Sequence, residues 1–120
     1  MQYAIIVYET EQDFKDRNDP NKPHINMSAY FAYAQALGAA GVARGGAGLQ
    51  PPTTATVVRM KNGKRHIQDG PYTDSKEQLG GFFIIEAANM DEAIAWAAKC
   101  PAAQSAGVEI RPMIPPPPMK

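Results

Sequence analysis

Residues 65–77 gather five ionisable side chains besides His66, namely Arg65, Asp69, Asp74, Lys76 and Glu77. Carboxylates beside a lysine are residue types that relay protons and anchor anions in small-molecule enzymes. In that chemistry Asp69 is the acid or base, Lys76 and Arg111 hold an anionic group, and Glu77 orients them. Tyr72 adds a hydroxyl to the same segment, and Gly80-Gly81 lets backbone approach a ligand closely. The same residues also read as a plain turn. Asp69 can accept local N–H bonds and Pro71 fixes φ, and such turns are commoner than catalytic loops.

His24 is the second candidate. It lies just before a helix start, where the positive end of the helix dipole favours a neutral imidazole able to act as a base. An exposed loop histidine beside Pro23 is the plain alternative, and His66 reads equally well as a half-exposed strand residue. Glu109 and Arg111 alternate with Val108, Ile110 and Pro112, so both project from one sheet face. Arg111 can clamp a carboxylate there, or simply pair with Glu109. Cys100 lacks a placed His, Asp or Asn to activate it and reads as a small buried hydrophobe. The Tyr30, Phe31, Tyr33 cluster reads as core and interface, because no basic stripe accompanies it.

The chain has 120 residues, 12 Lys+Arg against 12 Asp+Glu, one Cys and 44% hydrophobic residues. That suits one domain with its own core and no staple. Zero net charge removes the footprint of a nucleic-acid binder. One cysteine makes neither an intrachain disulfide nor a Cys-based zinc site, and there is no P-loop or H-E-x-x-H. The Gly-rich run at 45–48 lacks the strand-to-helix context of a dinucleotide site. No cofactor and no metal are expected. No apolar run reaches the roughly 18 residues of a membrane span, and MQYAIIVYE is not a secretion signal. A cytoplasmic, membrane-free protein is the expectation.

These residues need elements to position them. Tyr3–Tyr8 reads as a strand with two apolar faces. Residues 9–26 read as a surface connection with one helical turn around Gln12–Arg17. Asn26 caps a helix whose Met27, Tyr30, Phe31, Ala34 and Leu37 recur at helical spacing, with Gly41 just past its end. Val42–Leu49 is a weak, Gly-rich strand. Thr53–Met60 and Arg65–Gln68 form a hairpin about Asn62-Gly63. Residues 73–81 read as a polar connection, and Phe82–Ala87 as a strand apolar on both faces. Asn89 and Glu92 have capping-box spacing before a helix with Met90, Ala93, Ile94 and Ala97 on its inner face. Pro101 ends that helix, Val108–Met113 is a last strand, and Pro115–Pro118 is polyproline II.

That order predicts an α+β, ferredoxin-like sandwich over 1–113: an antiparallel sheet, two helices on one face, an extra hairpin strand, and a Pro-rich tail at 114–120. Two helices cover one sheet face only. The doubly apolar central strands therefore predict a homodimer packed sheet to sheet across a two-fold axis.

Asp69-Gly70-Pro71-Tyr72, Ser75-Lys76-Glu77, Leu79-Gly80-Gly81-Phe82, Asp91-Glu92-Ala93, Trp96-Ala97, Cys100-Pro101-Ala102-Ala103 and Val108-Glu109-Ile110-Arg111-Pro112 follow one another in the chain. In this order they resemble YCII-related proteins of the DGPF type, with Tyr72 where that family usually has Phe. Gly48-Leu49-Gln50-Pro51 and the first strand fit as well. The resemblance implies a dimeric α/β barrel and a link to extracytoplasmic-function sigma factors, but no particular reaction. Related YCII proteins carry a His–Asp pair proposed as catalytic. By position His24 matches the His, whereas Cys100 stands at the Asp position, so the pair is not carried over. Two functions are expected of such a chain. One is a small-molecule enzyme using Asp69, His24 and Glu77 with Lys76, Arg111 and Tyr72. The other is a non-catalytic ligand-binding or regulatory module.

Overall fold

The computed structural model describes residues 1–117, so residues 118–120 of the expected tail lie outside the described residues. Residues 113–117 form neither helix nor strand. In chain order the elements are β1 (Gln2–Thr10), α1 (Glu11–Asp16), α2 (Met27–Ala39), β2 (Ala43–Gly48), β3 (Thr56–Lys61), β4 (Lys64–Asp69), β5 (Glu77–Glu86), α3 (Met90–Ala97) and β6 (Val108–Pro112). Short 3₁₀ turns at Pro52–Thr54 and Pro101–Gln104 complete the path.

β2, β5, β1 and β6 lie side by side in that order, and every pairing is antiparallel. The doubly apolar strands are therefore the central ones, as their pattern requires. Tyr3, Ile5 and Val7 point to the helices and are buried together with Leu37 and Ile85. Burying side chains of this size stabilises the fold by about 1.5–3 kcal/mol each. Tyr33 of α2 meets Phe83 of β5 edge to face at 5.0 Å between ring centres. Its hydroxyl donates to the Trp96 carbonyl at 2.8 Å, tying α2 to α3.

Local signals set the helix ends. Asn26 Oδ1 accepts from the Ser28 and Ala29 amides. At the other end of α2 the Gly41 amide donates to Gly38 and the Val42 amide to Leu37, with Gly41 at φ +74°. This is the Schellman arrangement, in which a left-handed residue satisfies the last carbonyls. The complete capping box is at α1, between Thr10 and Asp13. At α3 Asn89 accepts from Glu92, but the Glu92 carboxylate reaches the Ala88 amide instead.

Four details differ from the sequence reading. There are three α-helices, because the turn around Gln12–Arg17 is a capped helix of its own. Pro51-Pro52 enforces a 3₁₀ turn, so β3 begins at Thr56 rather than Thr53. β5 starts at Glu77, since pairing with the end of β1 extends it through polar residues. The hairpin adds no strand to the main sheet; β3 and β4 pair only with each other. The opposite face of the sheet carries Ala4 and Ile6 against Ile84 and Phe82, half-buried and uncovered by any helix.

Candidate functional site

A cavity of about 660 Å³ opens between α2 and the β1–β5–β2 side of the sheet. That is within the usual size range of small-ligand sites. Its walls are mostly apolar, with Val7, Phe14, Met27, Ala34, Leu37 and Phe83 among them. Phe31 also lines it while remaining 63% exposed. One wall is nearly bare backbone, from Gly45, Gly46, Gly48, Gly80 and Gly81.

The polar floor is made by Glu9 and Arg17. Glu9 follows Tyr3, Ile5 and Val7 in the inward alternation of β1, so strand geometry alone sends its carboxylate inside. It is 2% exposed. Arg17, at the end of α1, answers it with two bonds: Nε to Oε2 at 3.1 Å and Nη2 to Oε1 at 2.8 Å. The same guanidinium donates to the Gly80 carbonyl at 3.0 Å and to the Leu49 carbonyl, and stacks over the Phe14 ring at 4.7 Å. One side chain thus ties β1, β5 and the loop after β2 together. Bidentate pairing of this kind gives direction as well as energy. With its donors engaged by carbonyls and carboxylate, Arg17 orients Glu9 and shapes the floor.

Two glycines make room for this arrangement. A Cβ at position 80 would come within 2.8 Å of the Glu9 Cδ, so only glycine leaves the carboxylate its place. At Gly46, with φ +143°, a Cβ would lie 2.6 Å from the Phe82 carbonyl oxygen. β2 therefore hugs β5 and leaves an open groove.

Tyr30 supplies the free polar group. Its hydroxyl is buried against the cavity and has no hydrogen-bond partner among the described residues. A buried hydroxyl without a partner costs about 1–3 kcal/mol, which a ligand oxygen or nitrogen would recover. Burial, and then the negative charge of Glu9, hold this phenol well above the ordinary tyrosine range. It is a neutral donor at every physiological pH. Cys100 lies behind this region, fully buried. Burial, partly offset by a hydrogen bond with the Ala102 backbone, pushes its thiol up to about 11. The thiol is thus protonated at neutral pH, in keeping with a packing role.

None of the six residues singled out from the sequence lines this cavity. His24 is exposed in the turn leading to Asn26. Asp69 ends β4, and Lys76 and Glu77 flank the start of β5, all exposed. Among the described residues no ion pair joins these three. Tyr72, 75% exposed, lies under the Arg59 guanidinium at 5.2 Å. It lines a smaller depression of about 440 Å³ with Tyr8, Pro71 and Leu79. Arg111 bonds Glu109 at 2.5 Å, and the Tyr8 hydroxyl donates to the other Glu109 oxygen at 3.2 Å. Arg111 holds the Glu109 carboxyl below the usual carboxylate range. Tyr72 and Arg111 thus share the neighbourhood of Tyr8.

Sequence reading gave no site role to Glu9 or Arg17 and took Tyr30 for core and interface, whereas its hydroxyl faces the cavity. A signal for Glu9 was present: ending the strand at Tyr8 hid a charge at an inward position. For Arg17 and Tyr30 there was none, because their meeting depends on how α1 and α2 dock. No group of three or more His, Cys, Asp or Glu side chains is placed to hold a metal among the described residues, and no described helix is long and apolar enough to cross a membrane.

Comparison with known proteins places this geometry in context. The chain is 31% identical over 118 residues to the uncharacterized protein R00369 of Rhizobium meliloti (strain 1021), spanning 94% of this chain and 92% of that protein. Its fold is similar to that of 5-chloro-2-hydroxyhydroquinone dehydrochlorinase (TftG) from Burkholderia phenoliruptrix AC1100, solved with 2,5-dihydroxybenzoquinone. The TM-score is 0.55 at 20% identity, covering 95% of this chain and 94% of the other. That likeness agrees with the ferredoxin-like α+β architecture read from the element order. A family model for the YCII-related domain matches residues 1–116, and the chain belongs to that family.

Proposed function

We propose that this chain is a small-molecule enzyme whose ligand lies in the cavity between α2 and the sheet, its polar group on the Tyr30 hydroxyl. The unpartnered hydroxyl carries this reading. It faces a space with apolar walls and a floor whose charges already neutralise one another. A ligand with a strong net charge would find no free counter-charge on this floor. A flat ring bearing carbonyl or hydroxyl groups fits the glycine wall and satisfies Tyr30. A neutral phenol in a dry site stabilises negative charge developing on a carbonyl oxygen, the demand shared by enolisations and eliminations. The dehydrochlorinase of similar fold was solved with a ligand of that class, which supports the choice of ring chemistry.

Titration calorimetry with 2,5-dihydroxybenzoquinone tests the reading. The wild type is expected to bind, and Tyr30→Phe to bind about fivefold to tenfold more weakly, the loss of one net hydrogen bond, while the free variant melts no lower than the wild type because the unpartnered hydroxyl is gone. Absence of wild-type binding, or equal binding by the variant, overturns it. The alternative of a non-catalytic module linked to a sigma factor calls for the same binding with no turnover and for co-purification with such a factor.

The Asp69, Lys76, Glu77 and Tyr72 segment, with Arg111 and His24, is a second candidate only if two chains meet. Its supporting observation is the depression beside Tyr8 and Tyr72 on the uncovered side of the sheet. We infer that two copies pack with these faces together, since Ile6, Phe82 and Ile84 form an apolar surface that no helix of the chain covers. Sedimentation at micromolar concentration checks this: Ile6→Asp should convert a dimer to a monomer.

A further inference from the structure

Of the five glycines on the cavity wall, four are required by the fold. Gly45 and Gly46 hold φ at +152° and +143°, a conformation that residues with a side chain rarely adopt. A Cβ at Gly81 would lie 2.8 Å from the Ala47 carbonyl oxygen, and one at Gly80 would strike the Glu9 carboxylate. Each of these four serves a close approach or an unusual backbone angle.

Gly48 is the exception. Its φ is not positive, and a Cβ built on it meets nothing within 4 Å. It therefore has room for a side chain and no need of glycine's freedom. Glycine inside a strand lowers the folding equilibrium about twofold to fivefold relative to alanine, and β-branched residues suit a strand better still. The packing of the chain offers nothing in return for that loss.

Strand register shows where the missing side chain would go. Gly48 is paired with Gly81, and Gly81 with Val7 on its other side. Directly opposed residues share a face. Val7 is buried on the helix side of the sheet, so position 48 looks into the cavity. The α2 wall of that cavity carries the exposed ring of Phe31 and the unpartnered Tyr30 hydroxyl. A bare strand, an uncovered ring and a free donor thus border one space.

We propose that Gly48 is the specificity-determining residue of this cavity, its lack of a side chain leaving the backbone surface on which the ligand's ring lies. The hydroxyl of Tyr30 marks the site, and position 48 decides what fits beside it. A flat conjugated ring keeps dispersion contact across its whole face against bare backbone, whereas a puckered ring with axial groups forfeits much of it. The inference rests on the function proposed above and adds the residue that selects for ring shape and size.

Titration calorimetry of the full chain with 2,5-dihydroxybenzoquinone, read beside thermal unfolding, tests it. Gly48→Ala and Gly48→Val should melt no lower than the wild type, since both side chains enter open space. Binding should weaken in order of side-chain size, at least about threefold for alanine and at least about tenfold for valine, as overfilling a packed site does. Gly38→Ala fills another open position, on α2 and away from the cavity wall, and should bind as the wild type does. Wild-type affinity in Gly48→Val overturns the proposal. So does a lower melting temperature in both Gly48 variants, which would give the glycine a folding role. If Tyr30→Phe weakens binding and Gly48→Val does not, the ring chemistry stands and Gly48 falls. If Gly48→Val weakens binding and Tyr30→Phe does not, Gly48 stands and the role of the hydroxyl falls. A wild type that binds no quinone overturns both.

Discussion

The β1–β5 and β3–β4 ladders are built from the same backbone bonds but have opposite surroundings. In β1 and β5, Ile5, Val7 and Ile85 are sealed under the helices, and Glu9 is fixed by Arg17. In β3 and β4, six residue pairs zip across a left-handed Asn62-Gly63 turn, and nearly every side chain stays in solvent. The contrast separates what makes a strand from what holds it. Turn chemistry and β-branched residues suffice to specify a ladder. Buried area and satisfied polar groups make it stable.

That contrast can be broken most forcefully at the floor of the cavity. Arg17→Met leaves the Glu9 carboxylate buried without its partner. Loss of one member of a buried pair costs about 3–5 kcal/mol. Urea unfolding should show a loss of that size, and an effect below about 1 kcal/mol would mean that the pair is solvated like a surface bridge. The thiol at the core gives a smaller, pH-dependent effect. Cys100 ionises near 9.0 when free and at about 11 when folded. Below pH 9 both states hold the proton, and the stabilisation is complete. As pH climbs from 9 toward 11 the unfolded chain ionises first, so on the order of 2 kcal/mol is lost across that window. Cys100→Ala should flatten that part of the stability curve, and native wild type should resist thiol reagents at pH 8.

Asn26→Ala removes the cap of α2 and should cost about 1 kcal/mol. Its amide also donates to the Asp19 carbonyl at 3.0 Å, so the loop before the helix should exchange faster as well. The smallest effect is expected in the β3–β4 hairpin. Gly63→Ala forces a side chain into φ +74° at an open position. Hydrogen exchange in β3 and β4 should accelerate, while global stability of the separated chain moves by about 0.5 kcal/mol or less. A global loss as large as that of the cap would show that the hairpin is braced within its own chain.

Much of the frame was legible because local rules pointed the same way. Asn26 and Gly41 bracket α2, Asn62-Gly63 turns the hairpin, and the doubly apolar runs at 3–8 and 82–87 became the two central strands. Legibility failed where a neighbour overrode the local signal. Polar residues 77–81 became strand because β1 offered them partners, and the hairpin stayed outside the sheet. The densest charged segment drew attention as a site, yet within one chain Asp69, Lys76 and Glu77 stay in solvent.

By itself the sequence determined the element order, the helix caps, the hairpin and the family motifs, because each depends on residues a few positions apart. It also placed a glutamate on the inward side of β1. Only the tertiary structure decided that Arg17 reaches that glutamate, that Gly80 clears its space, and that Tyr30 faces the cavity without a partner. Those contacts join residues distant in sequence, and their geometry is set by how the layers dock.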